Sequence, residues 1–548
     1  MENIIALYEK RKDSFLFDQE ARTRVDEAWQ YFRDKIVNDT FTLEDFANTI
    51  PNIQDPSIID KGGYLMNFLE RTSSKSYGSS KPGNAFNYGI KMNNDNTTYT
   101  LATNREGEVD HATASAAFDL NFKPFLNRIL INEDGNQTTI EQKIHAIESG
   151  DNYIPATQLL RKIAALEHPN DLMPIYQDST IDKLFKMFCD NEDATTNLGK
   201  NYSIVQKLKS LFNDGNDFLS SELYILSQFL WRLENAQTIF DPANKNVILY
   251  GAPGTGKTFT VLEALELLTK GDSNFYKVIQ FHPSYSYEDF IEGIRPTGIV
   301  GSSLNLQVVN GTFKEFCIKA KNDLSNDYYF VIDEINRGNL SSIFGELLFC
   351  LEYRYNPNDD RRLNLVQTQY SNLIKNLKDE KERLSFLIQN DEVYFGIPDN
   401  VYVIGMMNDV DKSIDSFDLA LRRRFKWIRK ECDYEVIADV LSDYSEIELY
   451  IDACKKLNQK ISASSELNLG KSYEFGHAFF LRIKDISKGN KIKQGDMALL
   501  FDNYLQPTLK EYMRSVYAES DIDDKLKEIK ESFINLVPKK TRKKRDQN

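Results

Sequence analysis

Residues 251–258 read GAPGTGKT, set between the apolar run NVILY and the stretch FTVLEALELL, whose apolar positions recur at helical spacing. Few eight-residue runs restrict a fold so tightly. Gly251, Gly254 and Gly256 allow successive backbone N–H groups to turn toward one point, in conformations that a side chain obstructs. The helix that follows aims the positive end of its dipole at the same point, where a phosphate is the natural occupant. Ala252, Pro253 and Thr255 complete the loop, Lys257 is placed to reach the β and γ phosphates, and Thr258 offers a hydroxyl to Mg²⁺. An ordinary glycine-rich turn needs neither the strand before it nor the helix after it. On the inner side of that helix the spacing places Val261, Leu262, Leu265 and Leu268.

Further apolar runs follow at KVIQF (277–281), YYFVID (328–333) and VYVIGMMN (401–408), separated by helical patterns. Runs apolar on both faces and joined by helices predict a parallel α/β sheet. The third run ends in two carboxylates, at the strand edge where such sheets bind ligands. Asp333 is the candidate to hold Mg²⁺ and Glu334 to polarise an attacking water, since phosphoryl transfer depends on placing that water in line. Asn408 closes the fourth run and is expected near the γ phosphate. Beyond it, DLALRRRF puts Arg422, Arg423 and Arg424 on a turn, any one of which could reach a neighbouring subunit as an arginine finger; an exposed basic turn is the competing account. Between the third and fourth strands a charged amphipathic stretch, 361–391, predicts a helical insertion. After Trp427 strand signals thin out, and a helical domain is expected with one strand near GHAFFLRI.

A chain of 548 residues exceeds what one core organises, so two or three domains are expected. The net charge of −15 argues against a surface that grips nucleic acid throughout, which makes any DNA contact local. Five dispersed cysteines give no metal-ligand spacing. With no bilayer-length apolar run and no secretory signal at the N-terminus, a cytoplasmic location without membrane association is expected. Residues 1–180 are expected to form a separate mixed α+β domain with a hairpin in KMNNDNTTYTLAT, followed by a helical connector over 181–240. The stretch holding Lys75, Tyr77, Lys81, Phe86 and Tyr88 suits backbone charge plus base stacking, or else an ordinary loop with core aromatics. Two coincidences are discounted: TKGD at 269–272 follows the wrong element for guanine recognition, and Asp134 with Glu141 and Lys143 resembles a nuclease pattern whose ExK falls in a helical stretch, so no intrinsic nuclease is expected.

The segments QFHPSYSYEDFIEGIRP (280–296), IDEINRGNLSSIFGELL (332–348), MNDVDKSIDSFDLALRRRF (407–425) and YEFGHAFF (473–480) together resemble one family, the McrB-like motors of modification-dependent restriction systems, within the AAA+ class. The resemblance spans roughly residues 240–515. It implies an α/β AAA+ phosphate-loop core at 241–430 and a helical lid at 431–537; the charge run KKTRKKR makes 538–548 a basic tail, a solvated end or an anion contact. The resemblance also implies GTP or ATP as substrate with Mg²⁺, a ring that is a homo-hexamer, an McrC-like nuclease partner, and DNA, with or without modified bases, engaged by the N-terminal domain. Asn408 with Asp411 matches the family's Asn-x-x-Asp, and Arg337 joins the arginine candidates at the subunit junction. The family pattern MNTADRS appears here as MNDVDKS, which sets Asp409 and Lys412 beside the retained pair. A MoxR-like motor that remodels a protein is the alternative.

Overall fold

The structure is a computed structural model that describes residues 2–15, 17–47, 65, 68, 69, 77, 90–92, 98–101, 108–132, 134–148, 157–189, 194–269, 271–300, 303–357, 364–377, 380–410, 419–441, 444, 447–463, 465–489 and 491–535. The chain divides into two compact units, Met1–Asn235 and Ala236–Asn548.

The second unit is built on the apolar runs. Strand β1 (Asn246–Gly251) leads through the glycine loop into helix α1 (Lys257–Leu268), followed by β2 (Tyr276–Gln280), β3 (Tyr328–Asp333), β4 (Val401–Asn408) and β5 (Lys426–Arg429). All neighbours are parallel, in the order β5-β1-β4-β3-β2. The central strands are buried on both faces because helices cover both, which is why their sequences are continuously apolar. Aromatic packing fixes one covering layer: Phe290 stacks on Phe313 at 4.7 Å, and both meet Phe330 of β3. The pairing sets Asn408 opposite Gly251 and Gln280 opposite Asp333, so the ends of adjacent strands share one edge.

Several expectations need correction here. β5, KWIR, was not visible as a strand because it is half-buried at the sheet edge, where alternating charge is tolerated. On α1 the buried face is Val261, Ala264, Leu265 and Leu267, while Leu262 is 42% exposed: one residue's 100° turn carries it off that face. In place of a helical insertion over 361–391, the described residues form two short turns of helix (Ser371–Lys375, Lys381–Leu384) and a hairpin, Leu387–Gln389 with Glu392–Tyr394. Asn390 and Asp391, at φ 50° and 68°, make its two-residue turn. Ile374, Leu384 and Val393 then close on Val308, in a second hairpin formed by Glu292–Val300 and Ser303–Asn310. That local apolar cluster replaces the continuous stripe a long helix would need.

In the lid the described elements are helices, with Ile447–Ser462, Gln506–Arg514 and Glu519–Ile534 around a core of Tyr450, Leu457, Phe480, Met497, Leu509 and Phe533. The strand expected at GHAFFLRI is the helix His477–Leu481. Its Phe480 faces the lid core, and Tyr450 Oη donates to the Phe480 carbonyl at 2.6 Å.

In the first unit, helices Gln19–Val37, Lys123–Leu130, Ile140–Glu148 and Thr157–Glu167 pack around Phe32, Phe46, Phe118, Phe122 and Ile129. A three-stranded antiparallel sheet joins them, Ile90–Met92, Thr98–Leu101 and Glu108–Asp110, its first two strands lying where the hairpin was read. Among the described residues of 181–240 the elements are the helices Asp178–Phe188, Asn197–Phe212 and Ser220–Ile239, and Asn201 ties the second of them to this core by exchanging hydrogen bonds of 2.9 Å with the Met173 backbone.

Candidate nucleotide-binding site

The phosphate loop has the conformation its glycines permit. Gly254 and Gly256 both sit at φ +75°, in the left-handed region, and Gly256 caps α1. The Thr255 hydroxyl donates to the Ala252 carbonyl at 2.9 Å and staples the turn from within. Lys257 Nζ curls back over the loop, donating to the carbonyls of Ala252 (2.9 Å) and Gly251 (3.1 Å). Its ammonium is thus held over the cradle where phosphate oxygens would replace those carbonyls. Thr258, one residue on, is exposed, which leaves its hydroxyl open to a ligand. The lid closes the other side of the loop: the Gly476 N–H donates to the Pro253 carbonyl at 3.1 Å and the Ala478 N–H to the Gly254 carbonyl at 3.0 Å.

The carboxylates come from β3. Asp333 ends the strand, and its Oδ1 accepts the Glu334 N–H at 3.0 Å. Glu334 stands at φ 49°, ψ 43°, a left-handed conformation that costs a side-chain-bearing residue on the order of 1 kcal/mol. Contacts on both sides of its carboxylate hold it there. Asn408 Nδ2, from the end of β4, donates to Oε1 at 3.2 Å, and Arg337 Nε donates to Oε2 at 3.1 Å. The Asp409 N–H donates to the Gly251 carbonyl at 3.2 Å, which fastens the Asn408 end of β4 to the start of the phosphate loop. The sequence-predicted Lys257 and Thr258 therefore open helix α1, while Asp333, Glu334 and Asn408 stand at the ends of the adjacent parallel strands β3 and β4.

The arginines differ from one another. Arg422 lies 5.2 Å from the Trp427 ring, whose Nε1 donates to the Arg422 carbonyl. Arg424 is only 12% exposed, 3.4 Å from Glu352, whereas Arg423 is 66% exposed at 3.7 Å from the same carboxylate. Arg337, expected at a subunit junction, is engaged with Glu334 of its own chain. Asp411 lies outside the described residues, as do Lys412, Lys75, Lys81, Phe86, Tyr88 and the basic tail. Tyr77 is buried: its hydroxyl donates to Asp26 at 2.6 Å and the Arg22 guanidinium covers its ring at 3.7 Å, so it is a core residue and not a stacking platform. Of the nuclease-like residues, Glu141 is exposed while Lys143 is buried, donating to Thr138.

What sequence reasoning missed is how the lid is attached. The Ser472 hydroxyl donates to Asp409 Oδ2 at 3.0 Å, Arg429 of β5 approaches the same oxygen at 3.5 Å, and Lys471 pairs with Glu431 at 3.0 Å. Asp409 was noticed only as a departure from the family pattern. Its partners lie far along the chain, and no local spacing points to them. Among the described residues there is no group of three potential metal-binding side chains, and no helix is long and apolar enough to cross a membrane.

Comparison with known proteins bears on this arrangement. The AAA domain (dynein-related subfamily) matches residues 246–425, and the alpha-helical lid domain of McrB matches residues 450–519. Of curated proteins, the type IV methyl-directed restriction enzyme EcoKMcrB subunit of Escherichia coli K12 is 34% identical over 327 residues, 55% of this chain and 65% of that protein. The type II restriction enzyme BsuMI component YdiS of Bacillus subtilis 168 is 26% identical over 205 residues, 33% of this chain and 56% of that protein. The chain thus spans less than two thirds of the length of either relative. The glycine loop and the strands of the parallel sheet up to Asn408 lie within the AAA-domain match, and the helices over 450–519 lie within the match to the McrB lid.

Proposed function

We propose, from the premise that this chain is an McrB-like AAA+ subunit, that it is the nucleoside-triphosphatase motor of a modification-dependent DNA restriction system. The observation that carries the proposal is the junction of Glu334 and Asn408 beside the phosphate loop. Bound GTP or ATP would take the loop N–H groups and the Lys257 ammonium, drawing Lys257 off the carbonyls of Gly251 and Ala252. Thr258 and Asp333 would hold Mg²⁺, which neutralises charge on the β and γ phosphates. Glu334 would orient the attacking water and accept its proton, with Asn408 fixing the carboxylate's direction. Of the three consecutive arginines, Arg422 and Arg423 are exposed, and with Arg422 set beside the Trp427 ring, Arg423 is the one we assign as a finger into a neighbouring subunit.

In this account the protein works as a homo-hexameric ring. The first unit engages DNA, methylated as for the methyl-directed E. coli relative, and an McrC-like partner cuts, this chain having no nuclease of its own. The McrB-type lid at 450–519 supports this reading over a MoxR-like remodelling motor. The test is hydrolysis by the purified protein mixed with its McrC-like partner and methylated duplex DNA. Hydrolysis stimulated by partner and DNA, with cleavage of the methylated duplex alone, is expected. No cleavage of any modified DNA would overturn the restriction role while leaving the nucleotide site standing.

A further inference from the structure

The turn that carries the three arginines is fastened to the rest of the second unit through one buried side chain. Asn246, the first residue of β1, donates from Nδ2 to the Leu351 carbonyl at 2.9 Å and to the Arg424 carbonyl at 3.1 Å, while its Oδ1 accepts from the Arg354 guanidinium. The backbone at Arg424 and the end of the helix Leu347–Glu352 are thus held to one point. Leu347, Cys350 and Leu351 sink that helix into the core, which leaves Glu352 at its end as a carboxylate on a fixed backbone. Two guanidiniums share one oxygen of that carboxylate: Arg424 Nε approaches Oε2 at 3.4 Å and Arg423 Nη2 approaches it at 3.7 Å.

The two contacts differ in what they do. Arg424 is largely covered and keeps the carboxylate in place, whereas Arg423 stands open to solvent. An exposed ion pair at that distance adds little to stability, so its consequence is the direction it gives the guanidinium. A long side chain left free pays rotamer entropy when a ligand fixes it, and a carboxylate that already draws it to one side lowers that cost. The same carboxylate relieves the mutual repulsion of neighbouring cations. Arg422 is occupied elsewhere, against the Trp427 ring. We infer that Glu352 is a positioning residue for hydrolysis in trans: it holds the Arg423 guanidinium at the surface until the γ phosphate bound by a neighbouring subunit takes the carboxylate's place. The inference rests on the proposed ring and on the finger assigned to Arg423, and adds to them a residue that touches neither nucleotide nor water. Lys257, held by the loop carbonyls until phosphate replaces them, is the same device within one chain.

The test uses full-length subunits mixed in one assembly, with Mg²⁺ and GTP or ATP. Glu334→Gln subunits lack the base and keep the finger, Arg423→Ala subunits the reverse, and their mixture is expected to regain hydrolysis wherever an intact site meets an intact finger. Glu352→Gln is then added to one kind of subunit at a time. On the finger-bearing Glu334→Gln subunit it is expected to lower the regained kcat about tenfold, with KM within about threefold. On the Arg423→Ala subunit, which has no finger to position, the regained kcat is expected to stay within about twofold of the reference mixture. A carboxylate that serves only the fold acts alike in either subunit, so equal losses, no loss, or loss confined to the Arg423→Ala subunit would overturn the inference. If Glu352→Gln does not fold, Glu352→Asp, whose carboxylate is one carbon short, is placed in the same two positions, with the same order and a smaller difference expected. A reference mixture that regains nothing, although both subunits bind nucleotide, would instead overturn the finger in trans, the reading on which the inference rests.

Discussion

The first unit and the strand-end site of the second use their polar and charged groups in opposite ways. In Met1–Asn235 charges close on one another: Arg161 bonds Glu148 at 2.8 Å and Asp178 at 2.9 Å, and Lys209 bonds Asp171 at 2.8 Å and Asp217 at 2.7 Å. Arg22 pairs with Asp26, which also accepts the Tyr77 hydroxyl. In Ala236–Asn548, by contrast, Lys257, Thr258, Asp333, Glu334 and Asn408 gather at one sheet edge around a loop built to receive an anion. Charges enclosed by their partners hold a fold together. Charges collected at strand ends around open N–H groups are left for a ligand.

The contrast can be broken by mutation. Lys257→Ala should lower nucleotide affinity about a thousandfold by calorimetry, with the unfolding of the first unit unchanged, because in the proposed site the ammonium meets the phosphates and its bonds in this structure stay within the loop of the second unit. Arg423→Ala should reduce turnover about 100-fold without moving the thermal midpoint, whereas Arg424→Ala should lower the midpoint, since its guanidinium is buried beside Glu352. Equal effects of the two would contradict the assignment. In the first unit, Arg161→Ala should cost about 3 kcal/mol in denaturant unfolding by leaving the largely covered Glu148 carboxylate without its cation, and should leave nucleotide binding intact. The smallest effect belongs to Asp409→Asn, which weakens the charge-assisted bond from Ser472 and the Arg429 pairing and should destabilise lid attachment by about 1 kcal/mol, read by hydrogen exchange across 471–480.

Much of the second unit is legible from sequence because its constraints are local. A parallel strand buried on both faces must be apolar along its length, and a phosphate loop must hold glycine at fixed offsets, so β1, β3, β4 and the loop can be read directly. Where the constraint is relaxed the signal fails, as in β5 with its exposed edge and in 477–481, where paired phenylalanines suit strand or helix equally. The roles proposed for Glu334 and Asn408 come from motif, but their hydrogen bond is not readable there, because it follows from β3 and β4 being neighbours in the sheet. In the first unit the decisive contacts join residues far apart, such as Lys162 Nζ to the Leu69 carbonyl at 2.7 Å. No window of sequence brings those two together.

The central claim is that Glu334, held by Asn408 and Arg337 beside the phosphate loop, activates water for nucleotide hydrolysis. Its most direct test is steady-state hydrolysis of GTP and ATP by Glu334→Gln, with binding measured on the same preparation. The account predicts nucleotide affinity within about threefold of the parent and turnover lowered by about 100-fold or more. Turnover equal to the parent's would contradict it.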